Sequence, residues 1–205
     1  MQRRKQASRR LAAAAALLLG LAWPAAAQNS STINQINAGN SAMVGQTLSG
    51  VTDNISLIDQ VHTGLGGGNT VIVTQTNAGL ATGPGTGGGG LGSANTSKID
   101  QGGSGHFAGV TQTATGYGDN GNDENPPPWG SRVLQQGTNQ SATVNQTASN
   151  RGDNASLVDQ SGSGNSAGVT QIANTNVVSG ADNNSRIFQN GSGNQATVGQ
   201  TSNGN

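Results

Sequence analysis

The same spaced residues occur six times along this 205-residue chain: Asn-x-Ser-x-[Ile/Val]-x-Gln, a Gly-rich arc, then Asn-x-Ala-x-Val-x-Gln. The copies span roughly 29–46, 54–75, 95–112, 129–146, 154–171 and 183–200. The fifth reads Asn154, Ser156, Val158 and Gln160, an arc from Ser161 to Gly164, then Asn165, Ala167, Val169 and Gln171. A repeat this short cannot bury a face alone and gains a core only by stacking on its neighbours, which points to a solenoid or array. Within each half the recurring residues lie two apart, the period at which a β-strand returns to one face. Folding the halves about the arc as a β-arch sets Val158 against Ala167 and Ser156 against Val169, so each large residue meets a small one. The expectation is an all-β solenoid of about six strand-arc-strand rungs forming two facing parallel sheets, amyloid-like in section.

The amides recur for a separate reason. Copies stacked in register at the ~4.8 Å strand spacing bring each Asn or Gln over its equivalent, where it donates to one neighbour and accepts from the other. Such a ladder satisfies buried amides that a single rung leaves unpaired. The candidate ladder residues are Asn29, Gln35, Asn40 and Gln46 in copy one, and Asn54, Gln60, Asn69 and Gln75 in copy two. Gln101 and Gln112 follow in copy three and Gln135 and Gln146 in copy four, then Asn154, Gln160, Asn165 and Gln171, and last Asn183, Gln189, Asn194 and Gln200. The outward position before the first Gln holds Asp59, Asp100 and Asp159 in copies two, three and five, but Asn34 and Phe188 in the end copies. Like charges stacked on a sheet repel, so these three acids are candidates for tempering assembly.

Low-complexity composition alone would read as disorder, but disorder does not place Ile, Val and Ala at fixed offsets. Residues 1–27 read as a signal peptide: Arg3, Arg4, Lys5, Arg9 and Arg10 precede an apolar run, and Ala25-Ala26-Ala27 offers a cleavage site. The product is expected to be secreted. Beyond the leader, four basic residues face nine acidic ones, a balance with no electrostatic footprint for nucleic acid. The chain has no cysteine, so disulfides are not what holds it.

The spacing Asn, five residues, Gln, four residues, Asn, five residues, Gln resembles the curlin repeat of curli fibre subunits. The resemblance covers six copies, about half of the chain beyond the leader. It implies a bacterial cell-surface subunit that stacks into an extracellular amyloid fibre and acts in adhesion, aggregation and biofilm matrix. The partners it implies are further copies of the chain, a nucleator or other curlin-like subunit, an outer-membrane secretion channel and extracellular surfaces. The copies depart from one another at Trp129, where the first Asn is expected, and at His106 and Gln140, where the arc-end Asn is expected. Copy two lengthens its arc to Val61–Gly68, and the spacers 76–94 and 113–128 are expected to bulge from the stack.

Other chemistries find less support. His62 and His106 lie in arcs away from any cysteine and read as solvated loop residues, so no catalytic set, cofactor site or metal site emerges. Asp119, Asp123 and Glu124 lack the closing bidentate Glu of a calcium loop and read as a solvated insert before Pro126-Pro127-Pro128. Arg151-Gly152-Asp153 is an integrin-type tripeptide in a Gly- and Asp-rich context. Thr47, Thr76, Thr113, Thr147 and Thr201 could suggest an ice-binding array, against which the irregular spacers argue. The principal alternative to a fibre subunit is a non-polymerising secreted β-solenoid adhesin. An enzyme on this scaffold would need carboxylates clustered on one face, and the acids come one per rung.

Overall fold

The computed structural model describes residues 29–49, 53–64, 66–79, 94–116, 130–150, 152–175 and 181–204. The expected leader, Trp129, the Asp119–Glu124 insert, Arg151 and most of both long spacers lie outside the described residues. The described chain is all-β. Its strands are β1 (Asn29–Ile36), β2 (Ser41–Leu48), β3 (Asp53–His62), β4 (Thr70–Gly79), β5 (Ala94–Ser104), β6 (Phe107–Gly116), β7 (Ser131–Thr138), β8 (Ser141–Asn150), β9 (Gly152–Ser163), β10 (Ser166–Thr175), β11 (Ala181–Ser192) and β12 (Gln195–Gly204).

Odd strands form one six-stranded sheet in the order β1-β3-β5-β7-β9-β11, and even strands form a second in the order β2-β4-β6-β8-β10-β12. All pairings are parallel and join equivalent positions of successive repeats: Ile33, Ile58, Ile99, Val133, Val158 and Ile187 form one column of the odd sheet. The two sheets face each other as the sequence implied, and neither closes on itself. Between them lies one buried cluster that includes Ile58, Ile99, Val133, Val158 and Ile187 from the odd sheet with Ala108, Val110, Ala142 and Val144 from the even sheet. Burying such groups supplies roughly 1.5–3 kcal/mol each for a Val or Ile, the main force holding the rungs together.

The rungs are not flat. Gln46 Nε2 reaches the Ser30 carbonyl of its own rung at 3.0 Å and the Asn54 carbonyl of the next at 3.1 Å. Gln75 does the same with Ile55 and Asn95, so each even strand sits half a step beyond its odd partner. The two ends differ accordingly: β1 is exposed at every position, whereas Asn183, Ser185, Ile187 and Gln189 on β11 are buried beneath β12.

All six even strands run past the second Gln, five of them by four residues, which moves the start of the expected spacers. β4 continues to Gly79 and β6 to Gly116. The added turn of alternation buries a further inward column, Asn77, Ala114, Ala148 and Ala173. A small or amide residue at that offset is the signal for this extension, and it is weak because Ala and Asn are common throughout the chain.

Glycine is required at one place in particular. Gly103, Gly137, Gly162 and Gly191 stack in register with φ of 126°, 118°, 104° and 109°, a region that side-chain-bearing residues rarely adopt. A Cβ on Gly103, Gly137 or Gly162 would also drive into the carbonyl of the next glycine in the column. The second left-handed position of the arc falls to Gly105, Gly164 and Gly193, and in the fourth rung to Asn139 at φ 53°, the substitution that side-chain hydrogen bonding best tolerates.

Candidate assembly interface

The glutamines of the odd sheet form one unbroken chain of amides. Gln35 Nε2 donates to Gln60 Oε1 at 2.7 Å, Gln60 to Gln101 at 2.9 Å, Gln101 to Gln135 at 2.8 Å, Gln135 to Gln160 at 2.9 Å and Gln160 to Gln189 at 2.7 Å. The even sheet repeats this through Gln46, Gln75, Gln112, Gln146, Gln171 and Gln200 at 2.8–2.9 Å. Backbone carbonyls fix which way each amide points. The other Nε2 hydrogen is taken by a main-chain oxygen of the opposite sheet, such as Thr96 for Gln112 and Ser141 for Gln160. A flipped amide would set Oε1 against that oxygen, acceptor against acceptor. Both glutamine ladders therefore donate toward the C-terminal end. Gln35 and Gln46 present Oε1 at the first rung, while Gln189 and Gln200 have a second amide hydrogen that faces no further rung among the described residues.

The first-strand asparagines run the other way. Asn54 donates to Asn29 at 2.9 Å, Asn95 to Asn54 at 3.0 Å and Asn183 to Asn154 at 3.0 Å, each Nδ2 pointing back to the preceding rung. Asn54, Asn95, Asn154 and Asn183 also donate to the main-chain oxygen just after the second Gln, as Asn54 does to Thr47 and Asn154 to Thr147, while Asn29 donates to the oxygen of Gln46 itself.

The arc-end residues follow a third rule. Asn40, Asn165 and Asn194 each return Nδ2 to the carbonyl four residues earlier, at 3.0, 2.8 and 3.0 Å. Asn40, Asn69 and Asn165 offer Oδ1 to the main-chain N–H of the next rung's arc-end residue. His106 reproduces both contacts with a ring: Nε2 lies 3.1 Å from the Gly102 carbonyl, and Nδ1 receives the Gln140 N–H at 3.4 Å. The Gln140 donor requires an unprotonated Nδ1, so the proton sits on Nε2. At 1% exposure this is not the solvated loop histidine that its glycine-rich surroundings implied. Burial holds its affinity for a second proton below the ordinary 6.5. Gln140 likewise donates to Gln136 at 3.0 Å. His62 stands apart in the longer second-rung arc, partly exposed.

The outer faces of the two sheets are unlike. Among the described residues every charged side chain belongs to the odd strands, and the even strands carry none. On the odd face Asn34, Asp59, Asp100, Leu134, Asp159 and Phe188 form one column. The acids do align, but Leu134 interrupts them, and the neighbouring column, Thr32, Leu57, Lys98, Arg132, Leu157 and Arg186, is basic. Lys98 Nζ lies 3.5 Å from Asp100. Partial burial raises the Asp100 carboxyl above its usual 3.8; Lys98 opposes that rise and Asp59 adds to it. On the even face Thr47, Thr76, Thr113, Thr147 and Thr201 share a column with Ile172, so the unequal spacers leave the register undisturbed. No group of three or more His, Cys, Asp or Glu that could hold a metal ion occurs among the described residues. No protein-family model, curated protein or solved structure matches the chain.

Proposed function

We propose that this chain is the structural subunit of an extracellular, curli-like functional amyloid fibre that grows by stacking the last rung of one copy on the first rung of the next, with roles in adhesion and biofilm matrix. The observation that carries this reading is the shared direction of the two glutamine ladders. One end of the solenoid holds the donor and the other the acceptor of an amide-to-amide hydrogen bond, and each exposes a strand edge able to pair with another chain. Joining ends is heterologous and leaves the same two ends free, which makes an open filament rather than a closed oligomer. The expected leader and the resemblance of the repeat to curlin support a fibre outside a bacterial cell, with a nucleator, a secretion channel and the surfaces it coats as proposed partners.

The test is to dilute the chain lacking residues 1–27 from denaturant and follow thioflavin fluorescence, with fibre diffraction on the product. Seedable fibres with a ~4.8 Å meridional reflection are expected. A soluble β-rich particle of fixed size would replace the fibre with a capped solenoid adhesin.

A further inference from the structure

Apart from the arc ends, where His106 and Gln140 replace Asn, the recurring inward residues do not say which rung follows which. Ser, Ile or Val, and Gln on the odd strands, and Val and Gln on the even strands, are the same at every level, so the glutamine ladders close equally well in any order. Covalent linkage holds rungs four and five together, with one residue between β8 and β9, but constrains the order only loosely at two other joints. The fourteen residues between β4 and β5, or between β6 and β7, span up to roughly 50 Å when extended, about ten strand spacings.

The outer face of the odd sheet is where the rungs differ. In its two central columns the first rung is uncharged (Thr32, Asn34), the second acidic (Leu57, Asp59) and the third carries both signs (Lys98, Asp100). The fourth is basic (Arg132, Leu134), the fifth acidic (Leu157, Asp159) and the sixth basic (Arg186, Phe188). Within a single rung only Lys98 and Asp100 balance. Between successive rungs the register sets every acid of these columns diagonally across from a cation: Asp59 from Lys98, Asp100 from Arg132, Asp159 from Arg186. Where the acidic column holds Leu134, the diagonal partner is Leu157. Diagonal neighbours on a sheet lie about 7–8 Å apart at Cα, within reach of Lys and Arg; burial raises the Asp100 carboxyl, and Arg132 opposes that rise less than Lys98 does. The acids at the strand starts, Asp53, Asp153 and Asp182, are two columns away, about 13 Å, beyond the ~8 Å screening length at physiological salt.

We infer that these diagonal acid-to-base pairs select rung order. No acid-only rung lies next to another in the observed order, and no cation-only rung does. Bringing the second rung against the fifth would stack Asp59 on Asp159 with no cation beside them. Bringing the fourth against the sixth would stack Arg132 on Arg186. The inference concerns the solenoid itself and stands whether or not the chain polymerises.

Register can be read directly because the chain has no cysteine of its own. Ile55 and Thr96 are outward neighbours on β3 and β5; with both changed to Cys, a short fluorogenic bis(bromomethyl) cross-linker, from which each thiolate displaces one bromide, reports that rungs two and three are adjacent after refolding. In that background Lys98→Asp makes both rungs acidic and should lower the cross-linking yield at low salt roughly three- to fivefold, the scale of like-charge apposition on a sheet. Adding Asp59→Lys restores an acid-base alternation through rungs two, three and four and should restore the yield. At about 1 M salt, where the screening length is about 3 Å, the single variant should recover as well. An unchanged yield for Lys98→Asp overturns the inference. So does a double variant no better than the single one, including the case where Lys98→Asp does not fold and Asp59→Lys fails to rescue it.

Discussion

At His106 a ring does the work of an asparagine side chain, and the difference between the two is a proton. A second proton would turn Nδ1 from acceptor to donor against the Gln140 N–H and place a charge at a site 1% exposed. Because burial depresses its folded-state pKa below 6.5, the unfolded chain takes up the proton more readily, so this residue's contribution to stability is complete above pH 6.5 and declines as pH falls through the depressed value. The groups around it, Gly102, Asn69 and Gln140, are uncharged. Urea midpoints of the wild type should therefore drop between pH 7 and pH 5. His106→Asn, which restores the residue of the other arcs and needs no proton to be neutral, should flatten that dependence while leaving the pH 8 midpoint close to wild type. Equal slopes would show that His106 is not the source of the acid sensitivity. The sequence marked His106 as standing where Asn belongs but not that the position is buried. Burial there comes from arcs stacking on arcs, as in the main-chain bond from Asn139 to Ser104 at 2.9 Å, and nothing in one repeat announces it.

Strands and arcs were the most legible elements. Alternation with period two named both inward faces, and large-against-small complementarity such as Val133 with Ala142 fixed which faces meet. The even strands outran their expected ends because the repeat stops at Gln while pleating continues: Ala114, Ala148 and Ala173 are too small and too common to signal a core column. The half-step between sheets was also hidden, since it depends on how Gln side chains reach across, not on their spacing along the chain. The arcs admit a sharp test. Gly162→Ala forces a methyl group into a left-handed backbone and into the Gly191 carbonyl, which should cost at least about 1–3 kcal/mol and lower the urea midpoint accordingly. Gly199→Ala, on the open outer face of β12 with nothing near its added methyl, should leave the midpoint within about 0.5 kcal/mol of wild type.

At the scale of the whole molecule the two ends decide behaviour. Under the fibre reading, replacing Gln189 and Gln200 with Ala removes the donors that face an incoming chain and should lengthen the assembly lag more than the same change at Gln101 and Gln112, whose loss destabilises the interior; equal lags in thioflavin kinetics would separate growth from the ladder ends. The proposal that Asp59, Asp100 and Asp159 temper assembly by repulsion has to be weighed at this scale with the cations next to them. The basic column beside them was visible in the sequence as Lys98, Arg132 and Arg186, but its adjacency appears only once the rungs are set in register. The half-step has a consequence for growth. A flat-ended stack must begin each new layer on a finished terrace, whereas a stack whose sheets are offset always ends in a ledge: β1 juts out at one end and β12 at the other. Like a crystal growing around a screw dislocation, such an end is never completed by the unit it accepts, and each arrival rebuilds the step on which the next one lands.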